Sequence, residues 1–240
     1  MQLHNTGAEF FVPDGVDPAT ALARTTHLAV GAHPDDIPIM AYHGILECFG
    51  RDDRWFLGVT VTDGAGSPRS DRYADHTDGA MRLVRIVEER KAAAAGEYTA
   101  ALLLDYTSLA AKDPDGRSIV EELAAILDAT HPDVLYTHNL ADKHDTHVAV
   151  ALRTIEAVRA IGPDRRPRAM FGCEVWRDLD WLVDSDKVAF DVSERQNLAA
   201  ALIGVYDSQI SGELSAKRLK LMTPSRSWVP RMRPHSSEVS

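Results

Sequence analysis

Five residues in two short stretches carry the chemistry of this chain: His33, Asp35 and Asp36 in Ala32-His33-Pro34-Asp35-Asp36, and His144 and His147 in His144-Asp145-Thr146-His147. Imidazoles and carboxylates are the side chains that bind divalent cations and move protons. A catalytic zinc site takes three protein ligands of these types and leaves one position for water or substrate. His33, Asp36 and His147 meet that count, with Asp35 and His144 left as acid, base or electrostatic groups. The residue types alone do not decide which of the two adjacent aspartates binds and which acts as base.

Such a set works only if the fold gathers it. His27-Leu28-Ala29-Val30-Gly31 is an apolar run of strand length closed by small residues and a proline, so His33 stands just past a buried strand and Asp36 opens the next helix. A helix from about Asp145 would project His144 and His147, three residues apart, from its first turn. Open parallel sheets with helices on both faces bind ligands outside the carboxyl ends of their strands, where these residues fall. The plainer reading of His-Pro-Asp is a turn with a capping aspartate. His131-Pro132-Asp133, which leads into Val134-Leu135-Tyr136, is read that way.

The remaining elements alternate. Glu9 to Thr20 reads as loop, Ile37 to Phe49 as one helix carrying a packed His43, and Trp55 to Val61 as a strand. Thr77 to Gly96 is a long helix on which Arg85 and Glu88 are spaced to pair, and Ala100 to Leu104 is a strand ending at Asp105. Ser118-Ile119-Val120-Glu121 opens a helix with capping-box spacing. Val134 to Thr137 is a strand followed by His138, a reserve ligand. Ala169 to Trp176 and Lys187 to Val192 read as strands, and Ser193 caps a helix running to about Tyr206. The polar loop after the second strand offers Arg69 and Arg72 to an anionic group of a substrate. Its glycines lack the spacing of a dinucleotide fingerprint.

The first motif, the later His-x-x-His, Val61-Thr62-Asp63-Gly64, Arg85-Ile86-Val87-Glu88 and Tyr206-Asp207-Ser208-Gln209 together resemble the PIG-L/LmbE-like family of zinc-dependent N-deacetylases, from His27 to roughly Gly212. The resemblance implies a three-layer α/β/α Rossmann-like sheet, mostly parallel, with zinc at the carboxyl edge of its strands. It implies that His33, Asp36 and His147 bind Zn2+ or another divalent metal, that Asp35 is the general base, and that His144 stabilises the oxyanion or assists protonation. It also places Asp105 near a sugar hydroxyl. The expected activity is removal of an N-acetyl group from a GlcNAc-type sugar or related small N-acyl substrate. Alternatives are an amidase acting on a larger conjugate or antibiotic intermediate, and a binding protein with a relic site. The chain departs from the family where Asp145-Thr146 replaces Pro-Asp, so Thr146 supplies no carboxylate to orient His144, and Asp145 is the nearest substitute.

With 240 residues and no Pro/Gly/Ser-rich linker, one domain spanning 1–240 is expected, with a basic C-terminal extension from about 213 that reads as an ill-ordered tail. The 45% hydrophobic and 26% charged composition provides for a sizeable core. A net charge of −10 argues against nucleic acid or an anionic membrane as partner; the partner the resemblance implies is a small-molecule N-acetylated substrate. Cys48 and Cys173, both in expected secondary structure, fit a reducing compartment, and no signal peptide or long apolar run is present, so a cytoplasmic location is expected. Nothing in the sequence marks a subunit interface, which leaves a homo-oligomer neither required nor excluded.

Overall fold

The computed structural model describes residues 1–67, 69–177 and 179–209, and the backbone of 227–229 and 231–232. Five strands run parallel at its centre: β2 (His27–Gly31), β3 (Phe56–Thr62), β4 (Ala100–Tyr106), β5 (Val134–His138) and β6 (Ala169–Cys173). The antiparallel strands β1 (Glu9–Phe11) and β9 (Arg231–Met232) close the two edges, giving the order β1-β4-β3-β2-β5-β6-β9. Every residue of β2 and β3 is buried, as continuous apolar runs require when helices cover both faces of a sheet. A smaller antiparallel pair, β7 (Val188–Phe190) with β8 (Ser227–Val229), lies outside this sheet. The later strand expected at Lys187 to Val192 therefore belongs to that ribbon rather than to the main sheet.

Two apolar layers flank the sheet. One packs α1 (Pro18–Ala23), α6 (Ser118–Thr130) and α7 (Asp145–Ala160) through residues such as Leu22, Leu123, Leu127 and Val150. The other packs α2 (Asp36–Met40), α3 (Tyr42–Cys48), α4 (Asp78–Ala95) and α8 (Gln196–Gly204) through Ile37, Ile45, Ala92 and Leu202. The short α5 (Ser108–Lys112) follows β4. This is the α/β, mostly parallel, Rossmann-like architecture expected.

Several local expectations need correction. The stretch from Glu9 to Thr20 is not all loop: it contains β1 and the start of α1, which Asp17 caps by accepting the Thr20 N–H. The helix expected over Ile37 to Phe49 breaks at Ala41 into α2 and α3. Ser118 is not the cap of α6, since Arg117 holds that position with no side-chain bond. Nor does Ser193 cap α8; Arg195, in the left-handed region at φ 52°, precedes it. The C-terminal extension lies outside the described residues, apart from 227–229 and 231–232.

The strand order reverses between β2 and β5. The chain winds from β2 to β3 and β4 on one side, then crosses to β5 on the other side of β2. The loops leaving two adjacent strands there diverge to opposite faces and open a crevice. His33 and Asp36 follow β2, and His138 to His147 follow β5, so the fold delivers both motifs to that crevice.

Candidate metal centre

Asp36 is the hub. It sits at the first turn of α2 with no solvent exposure. Its Oδ2 accepts the His33 backbone N–H at 2.7 Å and lies 3.2 Å from His33 Nδ1 and 3.4 Å from His147 Nε2. The last two nitrogens are 3.0 Å apart. Gly31 permits this approach of α2 to β2, because a Cβ there would come within 2.9 Å of Ile37 Cγ1.

Three donor atoms separated by 3.0, 3.2 and 3.4 Å match the edge of a tetrahedron around zinc, which is roughly 3.3 Å for ligand distances near 2.05 Å. Two imidazole nitrogens and a carboxylate oxygen pointed at one another also repel unless a proton or cation lies between them. The donor set thus fits a divalent metal. His33, His144 and His147 form one group of converging donors, and Asp36, His138 and His147 form another.

The surrounding residues sort these donors. Asp142 Oδ2 bonds His147 Nδ1 at 2.9 Å, leaving the Nε2 lone pair for a cation. Burial alone would raise the Asp142 carboxyl, but the bonds from His147 and from the His144 backbone N–H outweigh it and hold it below its ordinary value. His138 Nε2 accepts the Ala32 backbone N–H at 2.8 Å, so the lone pair a metal would need is already engaged. Burial and the neighbouring His147 press His138 down to about 4, so its imidazole is neutral. His138, the reserve ligand, therefore braces the site: it stacks on His147 with centroids 4.0 Å apart.

A cavity of about 580 Å³ opens above the cluster, lined in part by His33, Asp35, His144 and Trp176. Asp36 and His147 lie beneath, fully buried. His33, Asp35, Asp36, His144 and His147 thus come together. Burial, with repulsion from His147 and His33, holds the His144 imidazole below its usual range. Arg69, Arg72 and Asp105 do not join them. Arg69 is tied to Asp78 and the Ala65 carbonyl, Arg72 to Asp207, and Asp105, at φ 60°, to Arg82. Each is held in an ion pair away from the cavity wall.

The structure adds cavity groups that the sequence reading passed over. Arg85, read as spaced to pair with Glu88, is 1% exposed and lines the cavity. Its nearest Glu88 oxygen is 3.9 Å away, and none of its three nitrogens has a hydrogen-bond partner among the described residues. Glu88 instead accepts the Ser208 N–H and hydroxyl, each at 2.7 Å. Gln209 Nε2 is likewise buried at the cavity without a partner among the described residues. The only advance signals were Arg85-x-x-Glu88 and Ser208-Gln209, whose spacing does not reveal which way the groups face.

Known proteins share the family pattern and the fold of this chain. The PIG-L family model, described as GlcNAc-PI de-N-acetylase, matches residues 28–158, more than half of the chain, and the chain belongs to that family. Among curated proteins, no sequence matches. Among solved structures it resembles N,N'-diacetylchitobiose deacetylase from Pyrococcus horikoshii, at TM-score 0.68 and 17% identity over 87% of this chain and 84% of that one. It also resembles the zinc-inhibited form of teicoplanin deacetylase Orf2, at TM-score 0.64 and 16% identity over 90% and 100%. A third neighbour is GalB, the 4-carboxy-2-hydroxymuconate hydratase from Pseudomonas putida KT2440, at TM-score 0.60 and 15% identity over 90% and 99%. Deacetylases and a hydratase on one fold mean that the site, not the fold, must argue the reaction.

Proposed function

We propose that this chain is a metal-dependent N-deacetylase acting on an N-acetylated amino sugar or a related small N-acyl amine, with His33, Asp36 and His147 as zinc ligands. The observation that carries the reading is the trio of donor atoms at tetrahedral spacing, with Asp35 and His144 both at the cavity directly above. Its volume of about 580 Å³ falls in the range that holds small ligands.

When bound, the divalent ion supplies a Lewis acid that polarises the amide carbonyl and makes water a nucleophile near neutral pH. Asp35 takes the proton of the attacking water on its carboxylate and passes it to the leaving nitrogen. His144 faces the carbonyl oxygen as it gathers charge, and loss of such a group typically costs on the order of a hundredfold or more in rate. Arg85 and Gln209 offer donors to an acceptor-rich substrate such as a sugar. Acetate and a free amine leave.

The test is acetate release from a panel of N-acetylated amino sugars and acyclic N-acetyl amines, with bound metal quantified on the same protein. One equivalent of zinc, loss of turnover on chelation, and loss of turnover in Asp35→Asn with zinc retained are expected. Turnover that survives Asp35→Asn, or protein that binds no divalent ion, overturns the reading. Cleavage confined to larger acyl conjugates would favour the amidase alternative.

A further inference from the structure

The cations near the cavity are of two kinds. Arg69, Arg72 and Lys112 are spent on carboxylates, pairing with Asp78, Asp207 and Asp145. Arg85 and Lys143 keep donors to spare. Arg85 lines the cavity with its nearest Glu88 oxygen 3.9 Å away and with no hydrogen bond among the described residues. Lys143 has no carboxylate at ion-pair distance among the described residues, in a chain where 36 acidic side chains outnumber 26 basic ones. Its ammonium lies instead 4.5 Å from the centre of the Trp176 ring.

Trp176 ties that ammonium to the site. It lines the cavity and stands nearly parallel to the His144 and His147 rings, at 13° and 18°, with centroids 6.5 and 6.2 Å away. Lys143 also precedes His144 in the chain, so backbone and indole together hold its charge at the mouth on the His144 side. A surface cation–π contact is weaker than a charge-assisted hydrogen bond. An anion entering the cavity can therefore take the ammonium from the indole without breaking an ion pair, whereas Lys112 would have to give up Asp145. Arg85 faces the same space from α4, and a cleft that concentrates one sign of charge gathers ligands of the other.

We propose that the N-acyl substrate carries an anionic group, a carboxylate or a phosphate, and that Lys143, poised over Trp176, is the residue that selects it. Lys143 grips the part of the substrate that points out of the cavity and takes no part in the chemistry at the amide. The proposal names the substrate class of the site described above. It rests on the deacetylase reading for turnover and not for binding.

The experiment has two arms. The first titrates the whole chain by calorimetry, stripped of metal so that no ion can hold the anion, with three sugars. They are N-acetylglucosamine, its 6-phosphate, and N-acetylmuramate, which are neutral, phosphate-bearing and carboxylate-bearing. At low salt one or both acidic sugars are expected to bind about tenfold or more tightly than the neutral one, with the preference shrinking as salt is added. Which of them is preferred tells phosphate from carboxylate. The preference is expected to fall about tenfold in Lys143→Met, the worth of one charge-assisted contact, and to return in Lys143→Arg. No preference for either acidic sugar, or one that survives Lys143→Met, overturns the proposal. The second arm compares kcat/KM for acidic and neutral members of each N-acetyl pair that turns over. Lys143→Met is expected to lower the acidic-to-neutral ratio through KM; a loss confined to kcat overturns the proposal, since it would put Lys143 in the chemistry. Absence of all turnover with the binding preference intact would defeat the deacetylase reading and leave this one standing. Lys143 is exposed, so melting temperatures of its variants are expected to match the wild type.

Discussion

Asp142→Asn probes the metal centre through a residue that is not a ligand. Asp142 and His147 are 9% and 0% exposed, and their bond at 2.9 Å is shielded from water. Asparagine keeps the shape and one acceptor oxygen but removes the charge that raises imidazole basicity and fixes its tautomer. Loss of such a neighbour weakens metal binding by roughly 10- to 100-fold, or about 1.4 to 2.8 kcal/mol. The retained acceptor puts Asn at the lower end, and Asp142→Ala, which strands the buried Nδ1–H, at the upper end. Alanine adds a folding cost of about 1–3 kcal/mol that is present even in metal-free protein. Zinc affinity is measured by competition with a chromophoric chelator, and metal-free stability by urea unfolding. If both variants bind zinc as tightly as the wild type, the contact does not support a ligand, and His147 loses its place in the proposed set.

Three further outcomes are expected. Folding raises the Glu89 carboxyl from 4.5 to about 8, because it is fully buried and the bonds from Thr60 and Tyr206 only partly offset that. The folded state thus binds the proton more tightly, so this group's contribution to stability is fully present below 4.5 and is lost as pH rises through about 8. Glu89→Gln should flatten this profile in urea titrations across pH, and an unchanged slope would contradict it. Arg85→Met removes a cavity-lining cation and leaves the buried Glu88 carboxylate without it, so it should lower stability while raising KM for an acceptor-rich substrate; a fall in melting temperature with KM unchanged would make Arg85 structural. Gly31→Ala sets a Cβ within 2.9 Å of Ile37 Cγ1, and overpacking there should cost about 1–3 kcal/mol in chemical denaturation.

The central sheet was legible because its strands are buried on both faces and so read as unbroken apolar runs. His27–Gly31 and Phe56–Thr62 show this, the second displaced by one residue from the stretch expected. The short elements were not. β1 and α1 sit in a segment rich in proline, aspartate and glycine, and their formation depends on tertiary contacts: β1 pairs with β4, and Arg82 binds both the Gly7 carbonyl and Asp105. Those contacts also explain Asp105. A carboxylate beyond a strand end reads as available to a ligand, but an arginine about one turn into α4 has no signature at sequence distance. Arg69 and Arg72 met the same fate through Asp78 and Asp207.

The site divides along the same physical line. His33, Asp36, His144 and His147 sit within a few residues of a strand end or helix start, so local geometry alone brings each motif's members together. Asp142 was overlooked because its relation to His147 depends on the path of the loop between β5 and α7, which no periodicity encodes. That path also decides the difference between the two histidines of the second motif. His147 Nδ1 meets a buried carboxylate at 2.9 Å, whereas His144 Nδ1 has only an exposed one at 3.7 Å. One imidazole is fixed by a hydrogen bond as a ligand must be, and the other is held by stacking on His147 and Trp176. Asp145 and Thr146 stand beside His144, and the three donor atoms proposed as metal ligands keep their spacing of 3.0, 3.2 and 3.4 Å.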